Sequence, residues 1–156
     1  MTKNNVTRLL DQRKIGYAIF ELPEEKLGAL KTAEMLDVKP EIVFKTIVAA
    51  RLERGKPILA VIPGTTEVDL KALAKSLGEK KIRLTTQQEA EELTGLQAGG
   101  ISPLALINRG FQVVIDTTAQ NFAEIHVSGG QRGLNIRLPV KDLAKLTNAR
   151  FAPIGK

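Results

Sequence analysis

The chain has 156 residues, 43% of them hydrophobic and 26% charged, with a formal net charge of +6. It has no cysteine and one histidine, which excludes disulfides, thiolate metal sites, a cysteine nucleophile and a zinc site built from several imidazoles. Its length suits one ordinary domain, so residues 1–156 are read as a single unit. Aromatic residues make up only 4%, so the core must come from Ile, Leu, Val and Ala. The positive charge suits an anionic partner such as nucleic acid, and equally a solvated basic surface, because Lys and Arg are interspersed with Glu and Asp. The polar start, Met1 to Arg8, does not read as a signal peptide, and no charge-free apolar run approaches the roughly 20 residues needed to span a bilayer. The default expectation is a cytoplasmic protein with no membrane partner.

Val6, Leu9, Leu10 and Arg13 fall at helical spacing, and the pattern ends at Lys14–Gly16 before a strand over 17–20. Residues 23–30 form a loop containing Pro and Gly. Thr32 is placed to cap a short helix that runs through Leu36 and stops near Pro40. Apolar runs over 42–50 and 57–63, separated by a polar turn, predict an antiparallel hairpin. Asp69 caps a helix over 70–77 that Gly78 closes in a left-handed conformation. A short strand over 81–84 precedes the capping box Thr86-Gln87-Gln88-Glu89, which opens a helix ending at Gly95. After a loop over 96–103, residues 112–116, 122–128 and 133–138 read as strands, with Gly129-Gly130 as a turn. Pro139 suits the first turn of a last helix over 140–146. Strands and helices do not alternate regularly, so the expected class is α+β: a curved mixed β-sheet forming an open barrel surrounded by helices.

Three segments stand out chemically. Lys45 interrupts the apolar run of the first long strand, where a lysine either snorkels from a strand end or faces a cleft and holds a phosphate, carboxylate or carbonyl oxygen. Gly99-Gly100-Ile101-Ser102-Pro103 is an ordinary turn or a loop whose backbone amides approach a ligand, with proline stiffening its exit. Ser128-Gly129-Gly130 is a hairpin turn or an oxyanion-binding corner. His126 alternates with Ile125 and Val127 and faces the opposite side from them, which assigns it a structural or solvent-facing place.

In this order and spacing, Phe44-Lys45-Thr46, Gly99-Gly100-Ile101-Ser102-Pro103-Leu104 and Val127-Ser128-Gly129-Gly130 resemble the YbaK/EbsC family. Asp69, Lys71, the segment from Ala74 to Gly78, Thr94-Gly95, Val114-Ile115-Asp116 and Gln131-Arg132-Gly133-Leu134 add to the match. The family comprises freestanding Cys-tRNA(Pro) deacylases, relatives that clear Ala or Ser/Thr, and the editing domain inserted in bacterial prolyl-tRNA synthetases. The resemblance implies trans-editing of mischarged aminoacyl-tRNA, with Cys, Ala or Ser as the amino acid cleared. The substrate is bound at its acceptor end, and prolyl-tRNA synthetase is a further candidate partner. Lys45 would match the family's essential lysine. Phe44, Thr46, Gly99, Gly100, Ile101, Ser102, Pro103, Ser128, Gly129 and Gly130 would line the substrate pocket. Neither a metal nor an organic cofactor is implied. In cysteine-clearing members the substrate's own thiol attacks its ester. Those members usually carry Tyr shortly after the first strand and Asp two residues after Arg-Gly, where this chain has Leu22 and Asn135. They also commonly continue after Gly-Ile-Ser-Pro-Leu with Gly and two lysines, where this chain reads Ala105 to Arg109. The rival reading from another class is a non-catalytic module that binds the tRNA acceptor end as the partner of a synthetase. A third is a generic basic domain for an unrelated ligand.

Overall fold

The computed structural model describes residues 3–156. Five helices and eight strands follow in the order α1 (Asn5–Gln12), β1 (Ala18–Glu21), α2 (Ala29–Leu36), β2 (Phe44–Arg51), β3 (Ile58–Pro63), α3 (Leu70–Leu77), β4 (Ile82–Leu84), α4 (Gln87–Thr94), β5 (Gln112–Asp116), β6 (Glu124–Ser128), β7 (Leu134–Pro139), α5 (Val140–Thr147) and β8 (Arg150–Ala152). Single 3₁₀ turns occupy Pro40–Ile42, Pro103–Leu106 and Thr117–Asn121.

The class is α+β with mixed sheets, but hydrogen bonding divides the strands between two of them. Strands β1-β7-β6 form an antiparallel sheet, and β4-β2-β3-β5-β8 form a second in which β3, β5 and β8 run parallel. The two meet where Val43, just before β2, bridges His126 of β6, and no closed barrel forms among the described residues.

The expected β2–β3 hairpin is present, with Lys45 opposite Ile62 and Thr46 opposite Val61. Side chains alternate across it. Phe44, Val48, Leu59, Val61, Val113 and Ile115 join the larger core beneath the three-stranded sheet. Ala49, Ile58, Ala60, Ile62 and Val114 face a second core covered by Leu73 and Ala74 of α3. A central strand buried on both faces explains the continuous apolar run over 58–62.

Local capping follows the sequence closely at two helices. Asp69 accepts from the backbone N–H of Ala72 at 3.0 Å, and α3 ends at Gly78 with φ +70°. Thr86 and Glu89 exchange side-chain-to-backbone bonds of 3.1 Å in both directions. The Arg83 guanidinium beside Glu89, followed by that backbone bond, holds the Glu89 carboxyl down at about 2. Elsewhere the chain departs from expectation. Helix α2 begins at Ala29 with Gly28 as its N-terminal flank, so Thr32 is an interior helical residue and caps nothing. Pro139 closes β7 and flanks α5 instead of entering its first turn. β8 was not foreseen, since Arg150-Phe151-Ala152 is too short to show periodicity. No helix of the described residues is long and apolar enough to cross a membrane.

Candidate active site

A cleft of about 540 Å³ opens where the start of β2, the loop before α2, the N-terminus of α4, the glycine loop and the β6–β7 end of the three-stranded sheet converge. This volume falls in the range of small-molecule sites. The cleft gathers residues far apart in the chain: Phe44, Lys45 and Thr46 from β2, Gly99 and Ile101 from the glycine loop, and Ser128 from the end of β6.

Lys45, the second residue of β2, lines this cleft. It is half-buried, and its ammonium has no ion-pair or hydrogen-bond partner among the described residues. A cation with no counterion among the described residues has an anionic or carbonyl oxygen in the cleft as its natural ligand.

The glycine loop is held from two sides. Gly99 has φ +90°, and a Cβ there would lie 3.3 Å from the Cα of Lys26. Gly100 is buried, and a Cβ would come within 2.9 Å of the backbone of Gln131 and Arg132. Its backbone therefore rests directly on the β6–β7 turn, an approach only glycine permits. Gly100 is thus not a wall of the cleft but the point at which the loop docks. Ser102 is fully buried, and its hydroxyl accepts from the Leu104 N–H at 3.2 Å, capping the 3₁₀ turn that Pro103 begins. Pro103 itself borders a separate cavity of about 700 Å³ near Leu146 and Arg150, which contains none of the other expected site residues. Gly129 packs on Leu134, and Gly130 has φ +96°; neither lines the cleft. The Ser128 hydroxyl accepts from the Gly130 N–H at 3.2 Å, ordering this corner.

Some of the cleft was not read from the sequence. Asn135 lines it from β7, opposite Ser128 across the hairpin. Its Oδ1 stands 2.8 Å from Nδ1 of His126. His126 is 1% exposed, so of its two expected places the structural one holds, and burial pushes its pKa down. Alternation put His126 on the opposite face from Ile125 and Val127, as found, but could not show that Phe20 and Asn135 pack against the imidazole on that face. Lys26, Thr86 and Gln87 also reach the cleft, brought there by loop packing that leaves no periodic trace.

The mixed α+β fold thus sets Lys45, unpaired among the described residues, beside a packed glycine loop in one cleft, an arrangement suited to holding an anionic or carbonyl oxygen. Comparison with known proteins narrows the class. Residues 24–146 match the family described as the aminoacyl-tRNA editing domain, and the chain belongs to that family. It is 38% identical over 154 residues to EbsC of Enterococcus faecalis, by name a candidate Cys-tRNA(Pro)/Cys-tRNA(Cys) deacylase, covering 97% of this chain and 93% of that one. It is 22% identical to the prolyl-tRNA editing protein ProX of Acetoanaerobium sticklandii, over 94% and 91% of the two chains. The fold also matches the crystal structure of a candidate trans-editing enzyme for prolyl-tRNA synthetase, with a TM-score of 0.81 at 23% identity over 100% and 99% of the chains.

Proposed function

We propose that this chain is a cytoplasmic trans-editing deacylase, acting as one unit over residues 1–156, that clears Cys from Cys-tRNA(Pro) or a small amino acid such as Ala or Ser from its tRNA. The observation that carries the reading is the meeting of the unpartnered Lys45 with Gly99, Ile101 and Ser128 in one cleft. An ester is already activated, so what it needs is orientation and stabilisation of the developing oxyanion. Lys45 supplies the positive charge, and the glycine loop, stiffened by the Ser102 cap and Pro103, supplies the wall. Phe44 and Thr46 flank the lysine on the strand. Gly129 and Gly130 act through the turn that orders Ser128.

No cysteine is present, and the one histidine is buried in a hydrogen bond with Asn135. The chain thus offers neither a thiol nor a free imidazole to activate a nucleophile of its own, and in this reading the attacking group comes from the substrate or from a positioned water. For a cysteinyl ester the substrate thiol attacks the carbonyl carbon and its proton passes to the departing ribose oxygen. The carbon–oxygen ester bond breaks and a cyclic thioester leaves. EbsC supports Cys-tRNA(Pro) as the substrate by its name and 38% identity, and prolyl-tRNA synthetase enters as a candidate partner from the trans-editing enzyme whose fold this chain shares.

The test is a discharge panel in which Cys, Ala, Ser and Pro are placed in turn on one tRNA(Pro) and treated with substoichiometric protein. Multiple turnovers on Cys-tRNA, with Pro-tRNA intact, support the proposal. Discharge of Ala-tRNA beside inert Cys-tRNA moves the chain to the alanine-clearing branch. Binding without turnover reduces it to an acceptor-end module.

A further inference from the structure

His126 and Asn135 form a buried pair that the proposed reaction leaves unused, with Asn135 lining the cleft and His126 behind it. They lie on one face of the β6–β7 hairpin, where His126 is opposite Arg137 and Ser128 is opposite Asn135, so the two stand on a diagonal. His126 is 1% exposed and Asn135 6%. Nδ1 of His126 meets Oδ1 of Asn135 at 2.8 Å. Nε2 is buried with no hydrogen-bond partner, and the Phe20 ring lies 5.4 Å from the imidazole between centroids.

This environment chooses between the two neutral tautomers. With the proton on Nδ1, His126 donates to Asn135 and leaves only a lone pair unsatisfied at Nε2. With the proton on Nε2, a buried N–H is stranded without an acceptor, and the Asn135 amide must turn so that Nδ2 donates to Nδ1. Stranded buried N–H groups are rarer and costlier than under-used acceptors. The imidazolium carries the same stranded N–H together with a buried charge, beside an Arg137 and a Glu124 that offset one another at 3.6 Å. The Nδ1–H tautomer therefore prevails, and it fixes the amide: Oδ1 toward His126, Nδ2 away from it. Asn135 lines the cleft, and its Nδ2 has no partner among the described residues.

We infer that Asn135 is a substrate-contacting residue whose amide N–H donates to an oxygen of the aminoacyl ester, and that His126 is the positioning residue that locks the amide in this sense. The inference rests on the reading of the cleft as the site of the aminoacyl ester. An Asp at this position would offer His126 the same acceptor but turn an anionic oxygen to the cleft, which suits an ammonium group and repels a carbonyl. Position 135 thereby decides whether the pocket wall gives a hydrogen bond or takes one.

Two measurements test this. His126 is the only histidine of the chain, so long-range nitrogen–proton NMR of the wild-type protein near pH 7.5 reads its ring without ambiguity. Protonated Nδ1 with bare Nε2 is expected, and the opposite tautomer overturns the lock. In discharge assays corrected for folded fraction, N135A and N135D are expected to lower kcat/KM about 10-fold or more for the ester the wild type clears fastest, and N135D should also change the ranking of Cys, Ala and Ser esters. H126L should fall to the level of N135A. H126N keeps an N–H near the place of Nδ1 and should retain most of the activity. Unchanged rates and ranking in N135A and N135D overturn the contact, and wild-type rates in H126L overturn the positioning role. Wild-type protein that discharges no ester defeats the deacylase reading and the contact with it, while the tautomer spectrum still decides the lock.

Discussion

Nε of Arg132 donates to the carbonyl oxygen of Ala98 at 2.6 Å, tying the β6–β7 turn to the glycine loop at the residue just before Gly99. Together with the seating of Gly100 on Gln131 and Arg132, this makes the cleft wall one rigid piece. A methyl group at position 100 would meet backbone atoms at 2.9 Å that cannot swing aside. Gly100→Ala is therefore expected to cost about 1–3 kcal/mol and to slow discharge by displacing the loop. Gly16→Ala, which enters open space outside the cleft, should do neither. Thermal midpoints and discharge rates of the two variants make the comparison, and a G100A protein with wild-type kinetics would remove this loop from the site.

Lys45→Ala should reduce discharge about 100-fold or more, as removal of a single oxyanion-stabilising group does elsewhere. The thermal midpoint should stay level or rise, because the half-buried lysine has no partner to lose among the described residues. Calorimetry alongside single-turnover rates separates the two effects. Loss of the folded state would assign Lys45 a structural role instead.

Asp116, at the end of β5, is 3% exposed and ties the C-terminal segment to the sheet. Oδ1 accepts from the N–H groups of Ile154 and Gly155, each at 2.9 Å, and Oδ2 from the N–H and hydroxyl of Thr118. Asp116→Ala strands the buried N–H of Ile154 and breaks the bonds to Gly155 and Thr118, and should cost about 1–3 kcal/mol, read as a lowered urea midpoint. Because Asp116 does not line the cleft, discharge per folded molecule should be unchanged.

Stability should fall on the acid side through His126. Burial is the main cause of its lowered pKa, and the nearby Arg137 adds to it, while the Asn135 hydrogen bond and Glu124 oppose. The unfolded chain then binds the proton more readily than the folded one, so stability rises with pH. The contribution is fully present above the ordinary imidazole value of 6.5 and is lost as pH falls below it toward the folded value. Urea midpoints between about pH 5 and 7.5 should slope upward in the wild type and more gently in His126→Asn; equal slopes would show that another group sets the acid limb.

Much of the secondary structure was legible because its causes are local. The caps at Asp69 and Thr86, the closure of α3 at Gly78 and the β2–β3 hairpin each depend on residues within a few positions of one another. Where an unseen neighbour intervened, local reading failed. Thr32 has the chemistry of a cap, yet α2 starts a turn earlier, and its Ala29 packs tightly enough against Gly64 that a Cβ there would overlap it. Strand β8 exists only because β5 offers it a parallel edge.

The sequence alone determined the α+β class, the strand that carries Lys45, and the family to which the ordered motifs belong, since these depend on residue type and spacing. Only the tertiary structure decided which motif residues share the cleft. Gly99 and Ile101 line it, whereas Gly100 docks the loop, Ser102 caps a turn and Pro103 borders another cavity. Consecutive residues of an irregular loop point in directions set by whatever they pack against, here the turn at Gln131 and Arg132, more than 30 positions away in the chain. The same holds for His126, whose ring packs against Phe20 of β1, a contact between segments more than 100 residues apart.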